Sequence, residues 1–205
     1  MNVALFITIS LALLFGVEIL KRRLKTSHEL SRRLAHIGAG IINIMAPLFV
    51  SHQAIILVNV VFTLLLLAGR NTQYFSSIQA VKRKTYGDVY FPLGIIIAAT
   101  VLLPEHTQAF QYGVAIMGIS DALAGLIGET WGKKIIVICG TPKTRAGALA
   151  FYISSFIITA IFAPHVTPLI LVLPLILTVV EFVLVFGLDN LVLPVVSGLL
   201  FLLFF

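Results

Sequence analysis

The sequence contains little charge and almost no cysteine. Of its 205 residues, 11% are charged and 60% are hydrophobic, and the mean hydropathy is +1.10. Because soluble domains carry about 25% charged residues, this composition excludes a soluble enzyme and a disordered chain. The single cysteine, Cys139, excludes an internal disulfide and a multi-cysteine metal site. A helical membrane protein remains.

Long apolar runs fill most of the chain. A helix needs about 20 apolar residues to cross a hydrocarbon core of roughly 30 Å. The runs predict an all-α fold, a polytopic membrane helical bundle of about eight transmembrane spans that forms a single integral membrane domain over 1–205. The predicted spans are 3–20, 34–50, 54–69, 89–103, 109–127, 147–163, 168–186 and 191–205.

The basic residues predict the orientation. No basic residue precedes the first span, so the N-terminus is expected outside. All 14 Lys and Arg residues then lie in the segments 21–33, 70–88 and 128–146, which face the cytoplasm. This one-sided charge indicates contact with anionic lipid rather than nucleic acid. We expect a prokaryotic cell-membrane protein, and we expect 70–88 to contain an amphipathic helix on the inner leaflet.

Charge inside a membrane span is costly and commonly functional. Asp121 and Glu181 are the clearest cases among the acidic residues of the predicted spans. Asp121, Gly125, Gly128 and Gly132 are spaced by four, three and four residues, which places them on one helix face. Such a strip fits close helix packing. It also fits a groove beside a carboxylate in which a phosphate chain can lie.

A basic segment precedes the sixth span. Lys143, Thr144 and Arg145 stand just before Gly147, and cations beside the N–H groups of a helix start form an anion site. The glycine spacing of a P-loop is absent, which excludes a Walker A site. The alternative is a solvated loop on the positive side of the membrane.

Two further polar groups flank the spans. Asp189 and Asn190 precede the eighth span, where they could cap the helix. Arg32, Arg33 and His36 stand at the start of the second span. They fit either a salt-bridged helix turn at the interface or a clamp for phosphate.

These motifs together resemble a known family. They are similar to the polytopic lipid-alcohol kinases that include dolichol kinase, phytol kinase and CTP-dependent diacylglycerol kinase, which are relatives of the phosphatidate cytidylyltransferases. The resemblance is strongest over 29–205. Ser120 and Ala148 depart from the family pattern and leave the substrate open. The matching pieces are RRLAH (32–36), TYGDVYFPLG (85–94), SDALAGLIGETWG (120–132), KTRAG (143–147) and Glu181 with Asp189, Asn190 and Pro194.

The resemblance implies transfer of the γ-phosphate of CTP to a membrane-embedded lipid alcohol at the cytoplasmic face. The alcohol would be a polyprenol, a phytol-type isoprenoid alcohol or diacylglycerol. Mg²⁺ or another divalent cation would be held by Asp121 and Asp189, with Asn190 or Glu129. Glu181 or one of the aspartates would accept the hydroxyl proton. The residues implied in nucleotide and phosphate binding are Lys143, Thr144, Arg145, Gly125, Gly128, Gly132, Gly147, Arg32, Arg33 and His36.

Other functions stay open. A cytidylyltransferase that makes a CDP-lipid needs the same metal and triphosphate site. A small lipid or ion transporter could use Asp121 and Glu181 in a proton or ion path. The gathering of charge at one face favours catalysis at the membrane surface over transport, and a non-enzymatic scaffold leaves the buried carboxylates without a purpose. The expected partners are the lipid alcohol, a nucleoside triphosphate and the bilayer, without nucleic acid. The sequence does not give an oligomeric state.

Overall fold

A computed structural model describes residues 3–70 and 86–205. The amphipathic helix predicted in 70–88 lies outside these residues except at its ends. Each predicted span overlaps one helix of the structure. The helices are α1 Val3–Leu24, α2 His28–Met45, α3 His52–Gly69, α4 Gly87–Leu102, α5 Thr107–Trp131, α6 Arg145–Phe162, α7 Leu169–Val183 and α8 Asp189–Phe204, with a short 3₁₀ turn at Ala46–Leu48.

The lengths of these helices bear on the membrane prediction. Four of them, α1, α3, α5 and α6, are long and apolar enough to cross a membrane, and α4, α7 and α8 are shorter apolar helices. The described chain is therefore a helical protein suited to a membrane. The count of eight spans and the outside N-terminus stay predictions.

One small β-hairpin departs from the predicted all-α fold in the connection between α5 and α6. Strands β1 Ile135–Ile138 and β2 Thr141–Thr144 pair in antiparallel fashion, with Ile136 opposite Lys143. The four residues of β1 are all β-branched, which favours an extended backbone. Gly140 at the turn has a φ of 79°, a conformation that glycine adopts without steric cost.

Helix α5 lies at the centre of the bundle. Its residues Ile116–Asp121 form a π-helical turn between two α-helical parts, Thr107–Ala115 and Ala122–Trp131. Tyr112 is fully buried, its hydroxyl lies 2.9 Å from the Thr159 hydroxyl on α6, and its ring stacks on Phe201 of α8. Packing on two helices therefore fixes α5, and the π turn places Asp121 at its end.

Small residues bring the helix backbones close together. A methyl group at Gly40 of α2 would lie 2.9 Å from the Gly118 Cα on α5, and one at Gly94 of α4 would overlap the carbonyl of Asn190 on α8. Such contacts are typical of membrane helix packing. They bring the second half of α2 against the middle of α5, and the middle of α4 against the start of α8.

Candidate functional site

Three carboxylates from distant parts of the chain meet at one end of the bundle. Asp121 ends the π turn of α5, Glu181 lies in the last turn of α7, and Asp189 begins α8. One carboxylate oxygen from each lies within 4.8 Å of the others. We call these residues the acidic cluster. Like charges this close in a poorly solvated place repel, so the cluster needs cations.

Lys143 supplies one cation, and β2 carries it into the cluster. Its Nζ donates to the Glu181 carboxylate and to the Glu181 carbonyl oxygen, the latter at 3.0 Å. The same Nζ lies 4.0 Å from the Asp189 carboxylate. The Lys143 side chain is mostly buried. The hairpin therefore determines where this charge lies.

Arg33 supplies a second cation from α2. Its guanidinium lies 3.6 Å from the Asp121 carboxylate and 3.2 Å from that of Glu129. A methyl group at Gly125 would overlap this guanidinium, so the glycine makes room for it. Glu129, expected as a possible metal ligand, lies outside the acidic cluster and pairs with Arg33. The third carboxylate of the cluster is that of Glu181.

The other residues of the RRLAH motif lie at the same end. His36 Nε2 lies 3.1 Å from the Met117 carbonyl in the π turn, so this nitrogen carries a proton and donates it. The same nitrogen is 3.8 Å from the Asp121 carboxylate. Arg32 pairs with Glu29 at 2.9 Å. His36 thus contacts the backbone of α5 beside Asp121, and Arg32 makes a local pair on α2.

Asn190 is held in one orientation beside the acidic cluster. Its Nδ2 donates to the Gly87 carbonyl oxygen at 2.8 Å, which fixes the amide. Its Oδ1 is buried and has no hydrogen-bond partner among the described residues.

Asp189 lies in the turn before the predicted span 191–205. Burial and then the Asp121 carboxylate raise the pKa of the Asp189 carboxyl to about 7. Oxygen atoms that a cation would stabilise are therefore concentrated here.

The glycine strip and Thr144 hold α5 against α6. The Thr144 hydroxyl accepts the Gly147 N–H at 3.1 Å and so caps α6. Methyl groups at Gly128 and Gly132 would lie 2.8 and 2.6 Å from Thr144 side-chain atoms, and one at Gly147 would lie 2.8 Å from the Ala124 carbonyl oxygen. The contacts favour the packing interpretation of the strip. The same glycines also line a cavity, so their role with phosphate stays a prediction.

A cavity of about 410 Å³ joins the acidic cluster to an apolar arm. The polar end contains the cluster, Lys143, Arg33 and Asn190. Arg145, predicted to bind phosphate, is exposed and does not line the cavity. The apolar arm runs between α1, α2 and α3. Its lining residues include Phe6, Leu13, Leu14, Ala39, Ile42, Val58, Phe62 and Leu66.

Sequence reasoning did not single out three polar residues of the cavity wall. The side chain of Asp88, at the start of α4, is buried, and its carboxylate lies 3.7 Å from the Arg70 guanidinium. Acidic residues are common in the first turn of a helix because they interact favourably with the helix dipole. Asp88 therefore did not stand out in the sequence as a candidate site residue. Asn43 and Asn59 join α2 to α3 by a 2.9 Å hydrogen bond beside the apolar arm. Each of these asparagines lies within an apolar run of the sequence, and this was the signal that could have identified them as polar residues of the interior.

Comparison with known proteins gives two relatives. The chain is 26% identical over 198 residues to a phytol kinase of Synechocystis sp., a match that covers 92% of this chain and 85% of the relative. It is 28% identical over 139 residues to an uncharacterized protein of Methanocaldococcus jannaschii, covering 63% of this chain and 70% of that protein. No family model matches the chain, and no solved structure matches it.

Proposed function

We propose that this chain, a member of the lipid-alcohol kinase family to which its motifs and its phytol kinase homologue assign it, transfers the γ-phosphate of CTP to the hydroxyl of a membrane-embedded alcohol. The alcohol is an isoprenoid alcohol of the phytol or polyprenol type, or diacylglycerol. The observation that carries the proposal is a single cavity with a charged end and an apolar arm. A lipid kinase needs both, because its two substrates differ in polarity.

The residues at the charged end fit a magnesium ion. Mg²⁺ takes oxygen ligands and commonly binds one or two carboxylates together with substrate phosphates. Asp121 and Asp189 would hold it, with the Oδ1 of Asn190 as a further oxygen, since this atom is buried without a partner among the described residues. The ion would neutralise charge on the phosphates.

Two cations of the chain would bind the triphosphate. Lys143 and Arg33 both line the cavity and lie beside the acidic cluster. Charge-assisted hydrogen bonds from such groups align a phosphate chain and offset its charge, and these are the main requirements of phosphoryl transfer. Arg145 has no part in this proposal, because it lies away from the cavity.

The apolar arm would hold the lipid. Leu13, Val58 and Phe62 offer an apolar wall for a hydrocarbon chain, and the acidic cluster lies at the other end of the same cavity. A hydroxyl bound there could reach the nucleotide while its tail stays out of water.

Glu181 is the proposed proton acceptor. It belongs to the acidic cluster and lines the charged end of the cavity beside Lys143, where the hydroxyl of the lipid would bind. The hydroxyl oxygen of the lipid attacks the γ-phosphorus, the bond from that phosphorus to the β–γ bridging oxygen breaks, and CDP leaves. Glu181 takes the hydroxyl proton. The products are a lipid phosphate and CDP.

Product analysis tests the proposal. Purified protein in lipid nanodiscs is incubated with Mg²⁺, a panel of lipid alcohols and either γ-labelled or α-labelled CTP. The proposal predicts that the γ-label moves to the lipid and that the α-label stays in CDP. A labelled CDP-lipid with release of pyrophosphate would instead identify a cytidylyltransferase. Failure to label any lipid with either form of CTP would refute both CTP-dependent enzymes and favour a transporter.

A further inference from the structure

The hairpin β1–β2 presents an apolar surface that no described part of the chain covers. Ile135 and Val137 on one face of β1 are 63% and 66% exposed. Trp131, at the end of α5, is 69% exposed. The exposed fractions of these three side chains approach that of Leu203, which is 77% exposed on the apolar helix α8. Contiguous exposed apolar side chains mark a contact with a partner or a membrane.

The charges around this surface favour a membrane as the partner. Lys133 and Lys134 are exposed between Trp131 and β1, and Arg145 is exposed directly after β2. The segment 130–145 contains no Asp or Glu. A tryptophan followed by lysines and large apolar residues is typical of the membrane interface, where the apolar groups enter the acyl boundary and the cations contact anionic headgroups.

The position of the hairpin points to the same partner. It joins α5 to α6, and both helices are long and apolar enough to span a membrane. A short connection between two spanning helices must emerge at a membrane surface. An exposed apolar strand there lies within reach of lipid.

We propose that the hairpin lies in the headgroup region of an anionic lipid bilayer, with Val137 at the acyl boundary and Lys133 and Lys134 among the headgroups. The hairpin also supplies Lys143, which pairs with Ile136 across the strands. Lipid contact on β1 would therefore hold β2 in place beside the acidic cluster. This membrane contact does not depend on the reaction that the site performs.

A matched pair of valines allows a direct test. The chain has a single cysteine, Cys139, so Cys139→Ser gives a background without thiols. In that background, Val137→Cys places a nitroxide label on the hairpin. Val166→Cys places one on the 97% exposed valine between α6 and α7, which serves as the control. Both proteins are studied in nanodiscs of anionic lipid, which leave the two membrane faces accessible.

If the hairpin contacts the membrane, the nitroxide at position 137 should collide several-fold less often with a water-soluble nickel chelate than the nitroxide at position 166. It should also collide more often with oxygen, which is concentrated in the bilayer. In the unmutated protein, Trp131 is the single tryptophan, and lipids with a spin label near the headgroup should quench it. Equal exposure of the two labels to the nickel chelate would overturn the proposal. Shielding of position 137 without quenching of Trp131 by lipid would also overturn it and would indicate a second copy or a lid over the cavity.

Discussion

The substitution Asp121→Asn separates stability from activity. It removes one of three neighbouring negative charges and keeps the shape of the side chain. The carboxylate oxygens of the cluster lie within 4.8 Å of one another, and at that limiting distance two ionised carboxylates repel by ~3.5 kcal/mol at an effective dielectric constant of about 20. At 3.6 Å, the attraction between Asp121 and Arg33 is ~4.6 kcal/mol on the same scale.

These opposing energies nearly cancel. If only one of Glu181 and Asp189 is ionised, Asp121→Asn loses ~1 kcal/mol of stability on the same Coulomb scale. If both are ionised, the variant gains ~2 kcal/mol. The melting temperature of Asp121→Asn in detergent should therefore stay close to that of the unmutated protein. The loss of a preorganised electrostatic contact should lower kcat/KM by about 10²–10³-fold.

The assay is transfer of the γ-label from CTP to lipid at several Mg²⁺ concentrations, with Glu105→Gln as the control. Glu105 is an exposed acid in the connection between α4 and α5, away from the cavity. Normal kcat/KM and a normal Mg²⁺ requirement in Asp121→Asn would refute the assignment of this carboxylate. A large fall in melting temperature would show that attraction to Arg33 outweighs repulsion within the acidic cluster, contrary to the near cancellation.

Further variants and conditions test the other parts of the site. Lys143→Met should raise the KM for CTP by about 10–100-fold through loss of a charge-assisted hydrogen bond, and Lys133→Met should not; equal effects would contradict the role of Lys143. Gly125→Leu should displace Arg33 and lower activity, and an active variant would show that this contact is dispensable. Thr144→Val should cost ~1 kcal/mol of stability by removing a helix cap, and Thr144→Ser should restore it; an unfolding measurement that finds Val and Ser alike would reject the cap. Chelation by EDTA should abolish activity until Mg²⁺ is added back, and activity that survives chelation would exclude a metal requirement.

The helices could be predicted because an apolar run of membrane length leaves few alternatives. Short connections with polar residues, such as 104–106, mark where runs end, and each run overlaps one α-helix. The π turn at Ile116–Asp121 could not be predicted in this way, since a shift of one residue in hydrogen bonding leaves no mark in hydropathy. The hairpin was not predicted, because four β-branched residues between lysines and Cys-Gly are too short a run to separate a strand from a loop.

The candidate site could be predicted in part. Asp121, Glu181 and Lys143 stood out because charge inside or tight against an apolar span is costly. Successive spans cross the membrane in opposite directions. The ends of α5 and α7 and the start of α8 are therefore expected on the same side of the membrane, which predicts that these charged groups lie near one another. Pairings depend on side-chain packing, so the sequence did not indicate that Glu129 faces Arg33 or that Arg145 points away from the cavity.

Binding of Mn²⁺ tests most directly whether the acidic cluster holds a divalent cation. Electron paramagnetic resonance measures free and bound Mn²⁺ with purified protein in nanodiscs. We expect bound Mn²⁺ that Mg²⁺ displaces, with binding weakened in Asp189→Asn and unchanged in Glu105→Gln. Equal Mn²⁺ binding by the unmutated protein and Asp189→Asn would show that Asp189 does not hold the cation.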